Sequence, residues 1–572
     1  MPKRQYEVLP GGHGSRVKIN ARGRAVLRNP RINRGTAFTL EERQKLELVG
    51  LLPTNVTPLE AQLRRAYERF RLAETSLERF AYLQALRERN TILFYRLLSD
   101  HLAEMMPIVY TPTIGEAIKG FSLWYQAVNG IFLSVDQPDS IEESLQNCGL
   151  DPNEIDLLIV TDSEGILGIG DQGVGGIQIC TGKKSVYTAA AGIDPDRILP
   201  IVLDVGTDNL RLLNDELYMG ERHGRVRGER YDQFVDHFVR TAVKVFPHAM
   251  LHWEDFGANN AHRLLQKYRG EICTFNDDIQ GTAAVVASAI LAGVKAKHER
   301  LADQSFVIHG GGTAGVGIAD LLIDLMAKEG LTRDEARARF WVTSSRGLVT
   351  DDATQKFRDF QRPYARGIGE LADWEVDRPG HYMLADIVRN VHPTVLVGTS
   401  GQPGSFTEAI VKDMGSHVAR PLILPLSNPT SLAEAVPSDL IAWTDGRAMI
   451  ATGSPFAPVS YHGVAYTIAQ ANNALVFPGI GLGVGLCRAS RVTDAMIAAS
   501  AEAVAALSLV QKPGDSLLPS VEDLRRVSGT VALRVAAAAE ADGVAARPLT
   551  NPVDQMFDAM WIAAYPELIF ED

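Results

Sequence analysis

Apolar residues recur at three-to-four spacing from about Phe38 to Val128, most clearly in TLEERQKLELVG and PLEAQLRRAYERFRLAETSLERFAYLQALRERN. That period predicts a run of amphipathic helices. Thr39 followed by Glu42 predicts a capping box at one helix start. Pro107 and Pro112 bracket IVYTP, which is expected to be extended because residues before proline avoid the helical region. From about Asn129 the pattern changes. IDLLIVTD (155–162) and RILPIVLDVG (197–206) are short apolar runs ending in Asp or Gly, the signature of buried parallel strands. YDQFVDHFVRTAVKVFP reads as a helix and AMLHWEDF as the next strand. A second alternating unit begins near Asp277, with SFVIHGGGTAGVGIADLLIDLMAKEG as strand, glycine turn and helix. FWVTS (340–344), TVLVGTS (394–400) and PLILPLSNPT (421–430) continue it. After about Tyr466 the chain turns helical and Ala-rich. The expected fold class is α/β.

Composition narrows this picture. The 572 residues are enough for three or four compact units. A net charge of −12 argues against a nucleic-acid partner, and no basic helix suggests a membrane surface. The longest apolar run, Thr282–Val294, is too short to span a bilayer and reads as a buried helix. Cys148, Cys180, Cys273 and Cys487 are scattered, which fits free thiols in a reducing compartment; a cytoplasmic location is expected. The N-terminal twenty residues are basic without an apolar core and are expected to form a flexible tail.

The candidate chemistry sits in two acidic motifs, HWEDFGANN and FNDDIQGTAAV, just before the glycine loop HGGGTAGVG. Glu254, Asp255, Asp277 and Asp278 have no basic neighbour in sequence and repel one another unless a cation or a buried lysine compensates. Several carboxylate oxygens suit Mg²⁺ or Mn²⁺. The alternative, helix caps and solvated charge, loses ground because both pairs lie in apolar frames. Lys183 and Lys184 lie in CTGKKSVYTAA. A lysine near a divalent ion has its pKa lowered towards the range of a general base. Tyr110 is a candidate acid in an apolar, proline-bounded setting. Asn428, Asn472 and Asn473 are amides at element ends, able to bind a carboxylate or a nicotinamide amide.

Gly310, Gly312 and Gly315 fit GxGxxG: the first permits the tight turn, the second lets a pyrophosphate approach, the third lets helix pack on strand. Thr313 and Ala314 complete the expected cofactor-binding loop. Gly168, Gly170 and Gly173 satisfy the same spacing, but the GVGGIQICTG that follows does not read as a helix, so the later loop is the expected one. The next strand ends Thr343-Ser344-Ser345-Arg346 without the acid that grips a ribose 2′-hydroxyl. Two hydroxyls and an arginine lean the reading from NAD towards NADP.

Taken together, VYTPTIGEA, VTDSEGILGIGDQGVGGIQ, GTDNLRLLNDELYMG, EDFGANNA, FNDDIQGTAA, PLSNPTSLAEA, ATGSPFAP and QANNALVFPGIGLG resemble the malic enzymes, most closely the bacterial large-subunit type. The resemblance implies a helical N-terminal region (1–128), a substrate domain (129–276, completed by 466–537), a Rossmann-type NAD(P)-binding domain (277–465) and a helical C-terminal segment (538–572). It implies oxidative decarboxylation of (S)-malate to pyruvate and CO₂, with Tyr110 as general acid, Lys183 as general base and Asp277 as partner of the lysine. Glu254, Asp255 and Asp278 would be the metal ligands; Asn428 and Asn473 would touch substrate, with Asn428 and Asn472 also at the cofactor. Many relatives carry an arginine for the substrate carboxylate at the position of Gly165, an apolar residue where this chain has Lys184, and an acid where it has Ser344. A homodimer or homotetramer is expected. Two rival readings remain: a malolactic enzyme that retains its cofactor, and a catalytically silent metabolite sensor on the same scaffold.

Overall fold

The computed structural model describes residues 5–9, 16–125, 130–352 and 355–570. The chain divides into two compact units, one of residues 1–256 and 549–572 and one of 257–548. The second is therefore an insertion in the sequence of the first. The expected boundary at 128/129 lies outside the described residues.

In the first unit the helical pattern becomes helices Leu40–Lys45, Leu59–Leu72, Ser76–Arg89, Thr91–Asp100, Leu102–Val109 and Thr113–Lys119. The capping box forms as expected: Glu42 N–H donates to Thr39 Oγ1 at 3.1 Å and Thr39 N–H to Glu42 at 2.8 Å. The extended IVYTP does not form in full, because Pro107 lies inside helix Leu102–Val109. Burial of Met105, Met106, Ile108 and Val109 outweighs the lost hydrogen bond, and only at Tyr110 does the backbone become extended. Four parallel strands then run in the order Ile131–Ser134, Ile198–Asp204, Leu157–Thr161, Met250–Trp253. Every residue of Leu157–Thr161 and Ile198–Asp204 is buried, as in parallel sheets covered on both faces. Helix Ile177–Ala191 is buried at every position.

The N-terminal tail is not wholly a tail. Tyr6–Val8 pairs antiparallel with Arg16–Ile19, which pairs parallel with Glu567–Ile569 near the other end of the chain. Val17 and Ile19 point into a small core with Val26, Phe38 and Leu568, a periodicity too short to register against the surrounding basic residues. The C-terminal segment contributes helix Pro552–Ala559 before that strand.

The second unit is built on a seven-strand sheet in the order 347–348, 340–344, 306–309, 395–398, 422–425, 449–452, 469–470, parallel except for the first pair. From Phe306–His309 the chain adds strand Phe340–Ser344 on one side and then Val395–Gly398 on the other, all parallel. Strand order therefore reverses at Phe306–His309, and the crevice at the C-terminal ends of Phe306–His309 and Val395–Gly398 is the topological switch point where such sheets bind ligands. The apolar run becomes helix Thr282–Ala296. With the turn before it, the stretch Asp277–Ala296 reaches 20 residues, long and apolar enough to cross a bilayer, but 78% of that window is packed inside the fold. Helices Phe477–Cys487, Asp494–Leu507 and Leu524–Ala541 complete the unit.

Candidate active site

In the first unit the chemistry gathers around Lys183, which is 1% exposed on helix Ile177–Ala191. Its Nζ lies 3.1 Å from Glu254 Oε1 and 5.3 Å from the centre of the Tyr110 ring. An ion pair and an aromatic face together offset part of the desolvation of a buried ammonium. The glycine of the GK pair makes this approach possible. A Cβ at Gly182 would lie 2.5 Å from Ile114 Cδ1 and 3.1 Å from the Val109 carbonyl oxygen. Beyond Glu254 the chain of contacts continues: its Oε2 is 2.9 Å from His252 Nε2, and His252 Nδ1 is 2.8 Å from the Tyr187 hydroxyl. Sequence reasoning missed His252 and Tyr187. The i, i+2 spacing of His252 and Glu254 on one strand face and the i, i+4 spacing of Lys183 and Tyr187 on one helix face were available signals.

Asp255 follows the end of strand Met250–Trp253 with φ 53°, the backbone turn that adjacent carboxylates need if both are to face one place. It is also tied to the 165–167 loop: its carboxylate accepts from Leu167 N–H at 3.1 Å and its carbonyl from Gly165 N–H at 2.9 Å. The loop approaches so closely that a Cβ at Gly165 would sit 2.8 Å from the Phe256 carbonyl oxygen. Glycine at 165 is thus required by packing in this chain, and an arginine would displace the Asp255 backbone. Lys184 is buried as well, on a different side of the helix; burial lowers its pKa to about 8 against the opposing pull of Asp196.

In the second unit Asp277 and Asp278 are not equivalent. They open a π-turn, Asp277–Gly281, that leads into helix Thr282–Ala296, with the Asn276 side chain accepting from Ile279 N–H at 2.9 Å. Asp277 is fully buried and Asp278 only partly. Asn473 Nδ2 donates to the Asp277 carboxylate at 3.0 Å, which joins two of the residues singled out from sequence. Asn472 uses its side-chain oxygen to cap the turn at Ala474 N–H. Asn428 stands exposed at the end of strand Leu422–Pro425 and accepts from Ser454 Oγ.

The glycine loop at 310 has a distinct backbone setting at each of its three glycines. Gly310 has φ 114°, and a Cβ there would lie 2.5 Å from the Thr399 backbone. Gly312 has nothing within 4 Å of its notional Cβ, which leaves room for a phosphate. Gly315 would place a Cβ 2.3 Å from Gly310 O and 3.0 Å from Ile308 Cγ2, so its lack of a side chain lets the helix close on the turn and the strand. Helix Thr313–Lys328 begins without a side-chain cap, so its first N–H groups and dipole face the crevice. Thr313 and Ala314 are half-buried in that first turn. At the next strand end, Ser344 Oγ donates to Gly347 O and accepts from Arg346 N–H, both at 3.3 Å, while Ser345 and Arg346 are exposed.

A parallel sheet with a GxGxxG loop at its switch point is the architecture of a dinucleotide-binding domain, and the chain's relatives narrow the class to the malate-oxidising enzymes. The family described as "Malic enzyme, N-terminal domain" matches residues 87–269, and "Malic enzyme, NAD binding domain" matches 279–540. The chain is 52% identical to "NAD-dependent malic enzyme 3" of Bacillus subtilis (strain 168) over 563 residues, 98% of this chain and 99% of that protein. It is 49% identical to an "NAD-dependent malic enzyme" of Sodalis glossinidius, covering 91% of this chain and 92% of the other. The fold is that of the crystal structure of Entamoeba histolytica malic enzyme, with TM-score 0.54, 20% identity and 90% of each chain covered. The chain belongs to the malic enzyme family.

Proposed function

We propose that this chain oxidatively decarboxylates (S)-malate to pyruvate and CO₂ with NAD as hydride acceptor and a divalent metal ion as cofactor. The observation that carries the reading is the buried Lys183, held between Glu254 and the Tyr110 ring. In this assignment Lys183 is the general base that takes the C2 hydroxyl proton, and Tyr110 is the general acid that delivers a proton to C3 after CO₂ leaves. Asp277 supports the lysine. Asn473 binds substrate, Asn428 reaches substrate and cofactor, and Asn472 lies at the cofactor. Glu254 and Asp255 are buried hard oxygen donors on consecutive residues, and with Asp278 they form the proposed ligand set for Mg²⁺ or Mn²⁺. When bound, the nicotinamide would accept the C2 hydride, and the metal would polarise the C2 oxygen and stabilise enolate charge.

NAD is preferred over NADP because relatives about half identical to this chain are named for NAD, and because Ser344 is already engaged by the turn at Gly347. A homodimer or homotetramer is part of the proposal, supported by the exposed run Leu123, Trp124 and Tyr125 on the first unit. So is a reducing, cytoplasmic setting, supported by the free thiols of Cys180, Cys273 and Cys487.

The test is malate oxidation by the purified chain with Mn²⁺, comparing NAD with NADP. Free NADH and pyruvate in equal amounts, dependent on metal, are expected. Lactate formed without free NADH would replace the proposal by the malolactic reading, no turnover at all by the silent one. A kcat/KM with NADP equal to or above that with NAD would overturn the cofactor assignment.

A further inference from the structure

Glu434 is fully buried in the second unit, shortly after the 430–432 turn, and no described cation pairs with it. Its carboxylate is satisfied by hydrogen-bond donors alone. Oε1 accepts from Ser400 N–H at 2.8 Å, Ser400 Oγ at 2.8 Å and Ser427 Oγ at 2.5 Å; Oε2 accepts from Ser427 N–H at 3.3 Å. A buried carboxylate without a counter-ion is costly, and such a group persists where its geometry is wanted. The packing around it is committed too: a Cβ at Gly398 would lie 2.6 Å from Glu434 Cδ, so a glycine ends that strand to leave the carboxylate room.

The four donors come from two different strand ends. Ser400 follows Val395–Gly398 and Ser427 follows Leu422–Pro425, and Gly401 N–H also donates to Ser427 Oγ at 2.8 Å. On its other side the first of these loops reaches the phosphate loop, because Thr399 Oγ1 donates to Gly310 O at 2.6 Å. The second loop carries Asn428 as its next residue. One carboxylate thus stands at the centre of a hydrogen-bonded frame linking 310, 399–401 and 427–428, the C-terminal rim of the sheet.

We infer that Glu434 is a positioning residue for the coenzyme: it touches neither reactant but fixes the loops that flank the crevice, and with them Asn428. This rests on the coenzyme reading of the second unit. The isosteric variant Glu434→Gln tests it sharply, because the amide keeps the volume but turns one acceptor oxygen into a donor facing other donors.

For the full-length protein, NAD binding would be followed by calorimetry and Mn²⁺ binding by the electron-paramagnetic signal of the free ion. Glu434→Gln is expected to weaken NAD binding about tenfold or more, with kcat at saturating NAD changed less than about threefold and Mn²⁺ affinity unchanged. Ser427→Ala should give a smaller loss in the same direction, and adding it to Glu434→Gln should cost little more, since both break one network. An unaltered NAD affinity in folded Glu434→Gln overturns the proposal. So does a parallel loss of Mn²⁺ affinity, which would mark general loosening. If Glu434→Gln does not fold, the Ser400→Ala/Ser427→Ala double variant decides: NAD affinity within about twofold of the native chain overturns the inference. Native protein that binds no NAD would instead overturn the coenzyme reading itself, independently of any variant.

Discussion

Two loops of this chain match GxGxxG, and they differ in what already occupies their backbone N–H groups. At 310–315 the Gly310 and Gly311 N–H groups donate to Thr343, but no side chain caps the first turn of the following helix, and the position of Gly312 opens onto free space. At 168–173 the polar groups are spoken for. Asp171 accepts from Gly173 N–H at 3.0 Å, and Asp255 accepts from Leu167 N–H at 3.1 Å, just before the motif. Two carboxylates thus hold the donors that a phosphate would need and would repel it besides. A glycine pattern defines where a backbone can turn; the charges around it define whether an anion can enter. The earlier loop is tied to Asp255 of the acidic motif, and the later one is the loop proposed to hold the dinucleotide.

The largest effect expected from this division lies in the helix after the first loop. Lys183→Ala should lower kcat about a thousandfold or more, with NAD affinity within about twofold of native. Asp278→Ala should likewise abolish turnover, and an undiminished rate in either variant would sink the assignment of base and metal ligand.

Next in size is the contrast between the loops themselves. Gly315→Ala drives a methyl to 2.3 Å from Gly310 O, and Gly173→Ala drives one to 2.0 Å from the Tyr218 hydroxyl at φ 52°. The first should weaken NAD binding about tenfold or more; the second should lower Tm while leaving NAD affinity within about twofold. Equal losses of NAD affinity in both variants would break the comparison.

The smallest effect concerns Lys184. Its pKa is lowered in the folded chain to about 8 by burial. Below that value the folded chain must hold a desolvated charge, so stability rises with pH between about 8 and the ordinary lysine value near 10.4. Lys184→Met should therefore stabilise the chain by about 1 kcal/mol at pH 7, and the gain should shrink towards pH 10. Thermal unfolding at the two pH values checks this; a pH-independent difference would show that the charge is not what the substitution removes.

What the sequence made legible follows the range of the interactions involved. The strand, turn and helix at 306–328 depend on contacts within a few residues, so each glycine could be given its role in advance. The burial of Lys183 was invisible in CTGKKSVYTAA, because the two lysines look alike and a helix with no polar face has no periodicity to read. GVGGIQICTG did not read as a helix for the same reason, yet Gly173–Gly176 forms a 3-10 turn that runs straight into helix Ile177–Ala191. The difference between Asp277 and Asp278 arises from a π-turn whose hydrogen bonds involve Asn276 and Gln280, a geometry with no spacing rule. Glu434 could have been noticed as an acid in the apolar frame of PLSNPTSLAEA, but its partners lie on two loops up to 34 residues away.

The strand formed by Glu567–Ile569 completes a sheet begun at Tyr6–Val8 and Arg16–Ile19. A chain emerging from the ribosome must therefore produce the whole of residues 257–548 before the first unit can close. Synthesis order and folding order are opposed: the inserted unit has all its residues available while its host still lacks its final strand. Loss of the segment carrying Glu567–Ile569 would accordingly leave residues 257–548 intact and the unit that carries Lys183 unfinished.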